Sequence, residues 1–198
     1  MKKKILLCLL LALLSAMAFA QSPYYEIGDQ VFNVEAGTQI PAFLWFPYAS
    51  QDSFLVGSQT RMSVGGWGSI SYSAFSTPYI SLGGELGYGF SFSNAGLIFA
   101  TVPISLRATY IPIQNGTFDL AITANVGGAF NSYDSDMFFG PFASLSVCPS
   151  YYFDKNWGIG LKAGMSLTGE FYTASSSRQQ YTAACALVPI SFSLSYRH

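Results

Sequence analysis

Four charged residues stand apart in a chain where Asp, Glu, Lys and Arg make up only 10%. Glu35, Glu85, Arg107 and Lys162 each fall on the small-or-polar parity of a stretch that otherwise alternates with apolar residues. Two acids and two bases can neutralise one another as an ion-paired group, or can form a gate or proton-sensitive constriction. A structural salt-bridge core is the favoured reading, because an interior charge must be paired whatever its function. Catalytic chemistry has little to work with. The one histidine, His198, ends the chain on the apolar parity and has no positioned nucleophile. No His, Cys, Asp and Glu set has metal-ligand spacing. The run Gly83-Gly84-Glu85-Leu86-Gly87 precedes no helix, so it reads as strand glycine in a crowded interior rather than a phosphate loop. No catalytic residue, metal or cofactor is expected, and the chain is not expected to be an enzyme. Asp119 and Glu170 read as solvated charges near opposite ends of their strands.

The elements that must position these four residues are strands. In the last stretch Thr182, Ala184, Ala186, Val188, Ile190, Phe192, Leu194 and Tyr196 share one parity, and Tyr181, Ala183, Cys185, Leu187, Pro189, Ser191, Ser193, Ser195 and Arg197 the other. A period of two belongs to a β-strand, whose successive side chains point to opposite faces. Eight such stretches span about 30–42, 60–74, 79–92, 97–111, 118–130, 137–152, 157–172 and 181–197, long enough to cross a bilayer as strands of about 9–11 residues. Short turns are expected at 75–78, 112–117 and 154–156, with Asn115-Gly116 the clearest. The other four connections lie at about 43–59, 93–96, 131–136 and 173–180. Counted from the turn end, the four charges stand at similar height, inside a barrel just wide enough for side chains to fill. Glu85 and Arg107 fall as diagonal neighbours across one hairpin. A paired, neutral plug is therefore expected in the interior.

Residues 1–20 carry an export signal: Lys2 to Lys4, then apolar Ile5 to Leu14, then the small-x-small site Ala18-Phe19-Ala20. The mature domain is expected to run from Gln21 to His198. It keeps 6 basic and 10 acidic residues, a net charge of −4, so no basic stripe remains for nucleic acid. Cys148 and Cys185 are expected as inert buried thiols, placed too far apart in height for a disulfide.

Aromatic residues reach 17% and collect at two levels. Tyr72, Tyr79, Tyr110, Phe118, Tyr151, Phe153, Trp157 and Tyr196 fall near the turn end, and Phe90, Phe92, Phe130, Phe138 and Phe171 near the other. Two aromatic rims separated by aliphatic residues suit a membrane with amphipathic rings at headgroup level. A soluble sandwich or lipocalin-like barrel would need a polar outer surface, and the charges are too few to make one. The expected fold is all-β: an eight-stranded antiparallel up-and-down transmembrane β-barrel. Leader, strands and rims over residues 29–198 together resemble the small eight-stranded bacterial outer-membrane barrels, the OmpA-transmembrane, OmpX and OmpW group. The resemblance implies an outer-membrane location with both mature termini in the periplasm, contact with outer-membrane lipid, and recognition of the last strand by the barrel-assembly machinery. Ile190, Phe192, Leu194 and Tyr196 match that terminal signal, while His198 stands where an aromatic residue is usual. A monomer is expected.

Two roles remain from the sequence, besides a remote lipid-acting enzyme. One is restricted or lateral passage, or binding, of small hydrophobic molecules, with Phe43, Trp45 and Phe46 in the first long loop as ligand or lid residues. The alternative is a surface-exposed structural or adhesive barrel whose loops meet partners.

Overall fold

The computed structural model describes residues 23–48, 53–93, 95–133, 136–172 and 178–198. The leader expected at 1–20 lies outside them, as do parts of all four loop-end connections.

The alternating stretches form one antiparallel sheet that closes on itself. Its barrel strands are β1 (Gln30–Trp45), β3 (Met62–Thr77), β4 (Ile80–Ser93), β5 (Ile98–Gln114), β6 (Phe118–Tyr133), β7 (Asp136–Tyr152), β8 (Trp157–Glu170) and β9 (Ala183–Arg197). Each pairs with the next in sequence, and β9 pairs with β1 from Val31↔Arg197 to Trp45↔Ala184. Closure leaves no free edge, the condition for a sheet to live in lipid. Hydrogen bonds between Gln30 and His198 (N to O, 3.0 and 3.1 Å) extend the closing seam to the C-terminal residue.

A ninth strand corrects the expected first loop. The stretch 43–59 is not irregular throughout: β1 runs on to Trp45 and pairs with β2 (Phe54–Val56). Phe43, Leu44 and Trp45 favour extended backbone, and a bulge between Pro41 and Phe43 resets the parity so that pairing with β9 continues.

The turns are chemically specific. Gly116 takes φ +80°, and Asn115 Oδ1 accepts hydrogen bonds from the backbone N–H of Thr117 (3.1 Å) and Phe118 (2.6 Å). Asp154 does the same for Asn156 and Trp157 (2.7 and 2.6 Å), and these two N–H donors hold its exposed carboxyl below the usual range. β5 persists to Gln114, so the expected turn at 112–117 shortens to its last three residues.

Side chains sort by parity. Ile70, Leu82, Leu86, Ile104, Leu106, Val126, Leu145, Ile159, Leu161 and Phe192 are exposed on the outer face. Tyr72, Tyr110, Tyr151, Phe153 and Trp157 stand exposed at the turn end, and Phe92, Phe130 and Phe171 at the loop end. Inward, the barrel holds Ser, Thr, Asn and Gln together with the buried charges. Phe138 corrects an expectation. It pairs with inward-facing Asn131, so it faces the interior, and its neighbour Phe139 is the exposed residue. Phe138 shares the even parity of Phe142, Ser146 and Cys148, which faces the lumen along β7 with no bulge to change it.

Candidate functional site

Glu35 (β1), Glu85 (β4), Arg107 (β5) and Lys162 (β8) come from four strands and meet in the lumen, all but fully buried. Arg107 Nη1 lies 2.5 Å from Glu85 Oε2 and 3.7 Å from Glu35 Oε1. Lys162 Nζ donates to both Glu35 oxygens (3.0 and 2.9 Å) and lies 3.3 Å from Glu85 Oε2. Each base thus touches both acids. Gly83, not Glu85, stands opposite Arg107, so the Glu85–Arg107 contact is the diagonal one. Ser69 donates to Glu35 Oε2 (3.0 Å), and Arg107 Nε donates to Thr109 Oγ1 (3.3 Å). A neutral, hydrogen-bonded quartet of this kind satisfies the charges in place of water.

Packing continues towards the loop end. Trp67, Ala129 and Phe142 form one buried apolar group; Phe99, Cys185 and Leu187 form the next, joined by Leu44, Met62 and Phe138. Trp67 fits because β4 offers glycine opposite it. A Cβ on Gly87 or Gly89 would come within 2.9 Å of the indole. Beyond this floor the lumen opens into a cavity of about 760 Å³, within the span of roughly 300–1,000 Å³ usual for small-molecule sites. Leu44, Leu55, Met62, Phe99, Phe138 and Cys185 supply apolar wall, and Arg61, Asp136 and Glu170 bring charge to the same cavity.

The turn end is closed by a second cluster. Tyr25 lies 2% exposed with its ring stacked on Phe75 (centroids 4.1 Å apart) and its hydroxyl donating to Asp119. Arg197 donates to the Tyr25 hydroxyl (3.3 Å), lies 3.7 Å from Asp119 Oδ2, and places its guanidinium 3.6 Å from the Tyr152 ring centroid. Asp119 is therefore not a solvated rim charge. It is 2% exposed, and both of its partners come from the chain ends, which alternation alone does not bring into view.

A closed eight-stranded antiparallel barrel, apolar outside, polar inside and belted by aromatics at both ends, is a lipid-spanning design. A protein-family model matches residues 15–196, almost the whole chain. The fold is that of a small eight-stranded transmembrane β-barrel. Among solved structures it is similar to Neisserial surface protein A, at 12% identity over 85% of this chain and 96% of that one (TM-score 0.47). It is similar also to the outer membrane protein OprG from Pseudomonas aeruginosa, at 9% over 90% and 99% (TM-score 0.49). A third is Ail of Yersinia pestis, in complex with the heparin analogue sucrose octasulfate, at 9% over 87% and 100% (TM-score 0.45). At such identities the likeness is one of fold. No curated protein matches the sequence.

Of the three loop residues singled out from the sequence, Phe46 lines the cavity and the other two do not. The bulge at Pro41/Phe43 turns Leu44 inward, leaving Phe43 against Phe54 (ring centroids 5.1 Å) and Trp45 half exposed. Leu44, Phe99 and Phe138 line the cavity in place of Phe43 and Trp45. An inward apolar residue at a strand end is the available signal, and only Phe99 carries it without ambiguity. Cys148 and Cys185 are free and buried in separate compartments. Among the described residues no group of three or more His, Cys, Asp and Glu could hold a metal.

Proposed function

We propose that this barrel, exported behind the leader at 1–20 and set in the outer membrane with its turn end in the periplasm, binds a small hydrophobic molecule at its loop end. The observation that carries the reading is the cavity of about 760 Å³ walled by Leu44, Leu55, Met62, Phe99 and Phe138 above a packed floor. An apolar solute against these walls leaves water at about 25 cal/mol per Å² of apolar surface covered. A route straight through the barrel is opposed by the Trp67 layer and the charge quartet beneath. Sideways release into lipid has a natural place. The β7–β8 ladder stops at Phe142↔Thr168; past the close approach of Gly140 to Gly169 O, β7 runs on to Asp136 beyond the end of β8 at Glu170, and Asp136, Phe138, Thr168, Gly169 and Glu170 line the cavity there. The surface-adhesive alternative has no comparable cavity to explain. The barrel works as a monomer, folded through the assembly machinery that reads its terminal strand.

Calorimetric titration of the purified barrel with medium-chain alcohols tests the reading. Saturable binding is expected, weakened at least tenfold by Phe138→Asp and unchanged by Trp45→Ala. Absence of saturable binding, or equal loss in both variants, would leave the surface-interaction role ahead.

A further inference from the structure

We propose that residues 24–28 are a latch over the periplasmic mouth, and that the site beneath it is a receptor for a phenol, filled in the resting barrel by Tyr25. The segment belongs to no strand. It crosses the turn end before Gly28 (φ +98°) swings the chain into β1, with Gly28 N–H donating to Phe75 O (2.9 Å). Every part of the receptor comes from elsewhere in the chain. Phe75 gives the stacking face, Asp119 accepts from the hydroxyl, Arg197 donates to it, and the Tyr152 hydroxyl stands 3.5 Å away. Gln114 Oε1 accepts from the backbone N–H of Tyr24 and Tyr25 (2.9 and 3.0 Å), while its Nε2 is anchored on Pro78 O (2.8 Å). These partners are themselves tied to the barrel. Arg197 also donates to Lys155 O (2.8 Å) and to Gly116 O, in two separate turns.

Behind Tyr25 lies a chamber of about 40 Å³, lined by Ser73, Ser81, Cys148, Ser150 and Ser193 and reaching Glu35 and Arg107 of the quartet. About 10–15 Å³ suffices for one water, so it has room for ~3. Asp119, which borders it, keeps Oδ1 buried without a protein partner, an acceptor that such a water satisfies. The quartet and the Trp67 layer close the chamber on the far side, so the latch is what separates it from the periplasm. Two aromatic side chains, Tyr25 in the mouth and Tyr24 with its ring centroid 4.3 Å from the Arg197 guanidinium, and a few backbone hydrogen bonds hold the latch, against a continuous ladder for every wall strand. It therefore opens locally, at a cost far below that of unfolding the barrel.

Cys148 reports the opening directly. With Cys185→Ser as background, its reaction with a small water-soluble maleimide is followed in the folded barrel, folding being checked by heat-shifted electrophoresis. Labelling is expected to be slow in the parent, at least tenfold faster in Tyr25→Gly, and intermediate in Tyr25→Phe, which keeps the stack and loses the hydroxyl. Added 4-methylphenol should slow labelling of Tyr25→Gly back towards the parent rate. Equal rates in parent and Tyr25→Gly would overturn the latch, and a full set of rates with no protection by 4-methylphenol would overturn the phenol receptor. Should Tyr25→Gly not fold, Gln114→Leu frees two latch N–H groups without emptying the mouth. An unchanged rate there would overturn the latch equally.

Discussion

At the scale of residues the lumen quartet has the clearest energetics. Glu35, Glu85, Arg107 and Lys162 are buried, mutually paired, and balanced in charge. Removing one base leaves a carboxylate without its counter-charge, which typically costs about 3–5 kcal/mol. Arg107→Ala should lose that much in urea unfolding of the barrel in detergent. A loss below about 1 kcal/mol would mean that the carboxylates are hydrated rather than paired. Replacing all four together, with Gln for each acid and Met for each base, should by contrast cost little, since no charge is then stranded and volume is nearly kept. A quadruple variant as weak as the single one would locate the stability in packing instead of pairing.

Tyr25 gives the latch a pH dependence of known sign. Burial first, then the neighbouring Tyr152 and Asp119, raise its hydroxyl above the ordinary 10.0, with Arg197 and Tyr24 the other charged or titratable groups against it. A group whose docked pKa is raised contributes its full stability below the undocked value and loses it as pH climbs beyond. The latch should hold to about pH 10 and loosen above it, by about 1.4 kcal/mol per pH unit. Cys148 labelling, normalised to unfolded protein at each pH, should rise there in the parent and not in Tyr25→Phe, which has no proton to lose.

Elements explain which of these features the sequence displays. Period-two alternation gave all eight wall strands within a few residues and put Glu35, Glu85, Arg107 and Lys162 on one face, since a residue's parity fixes its side of the sheet. Parity fails where the ladder shifts. The bulge at Pro41/Phe43 gives Leu44 the inward place that unbroken alternation would give its neighbours, whereas Phe138 keeps the lumen-facing parity of Cys148, against its expected place outside. The turn-end cluster escaped for another reason: Tyr25, Asp119 and Arg197 are spread over almost the whole chain, and only closure of β1 on β9 makes them neighbours. Topology itself is open to a direct test. An epitope inserted within 173–180, between β8 and β9, should be labelled on intact cells, and one at Asn115-Gly116 should not. The reverse pattern would invert the barrel in the membrane.

The whole molecule is a stack of compartments: a latched mouth, a small wet chamber, an ion-paired layer, an apolar layer around Trp67, and an open apolar cavity. Eight strands leave an interior that side chains fill, and only much larger barrels keep a continuous aqueous channel. Here every level below the cavity is occupied, by side chains whose displacement would expose either buried charge or packed aromatic surface. Planar-bilayer recordings should therefore show no stable large conductance for the parent. The two barriers lie in series, so opening one leaves the other in place. Tyr25→Gly should admit reagent to Cys148 yet still conduct nothing, and Trp67→Ala should enlarge the upper cavity without making a pore. Conductance appearing with Tyr25→Gly alone would mean that the quartet and the Trp67 layer do not seal the barrel, and the sideways route along the β7–β8 seam would then lose its physical motive.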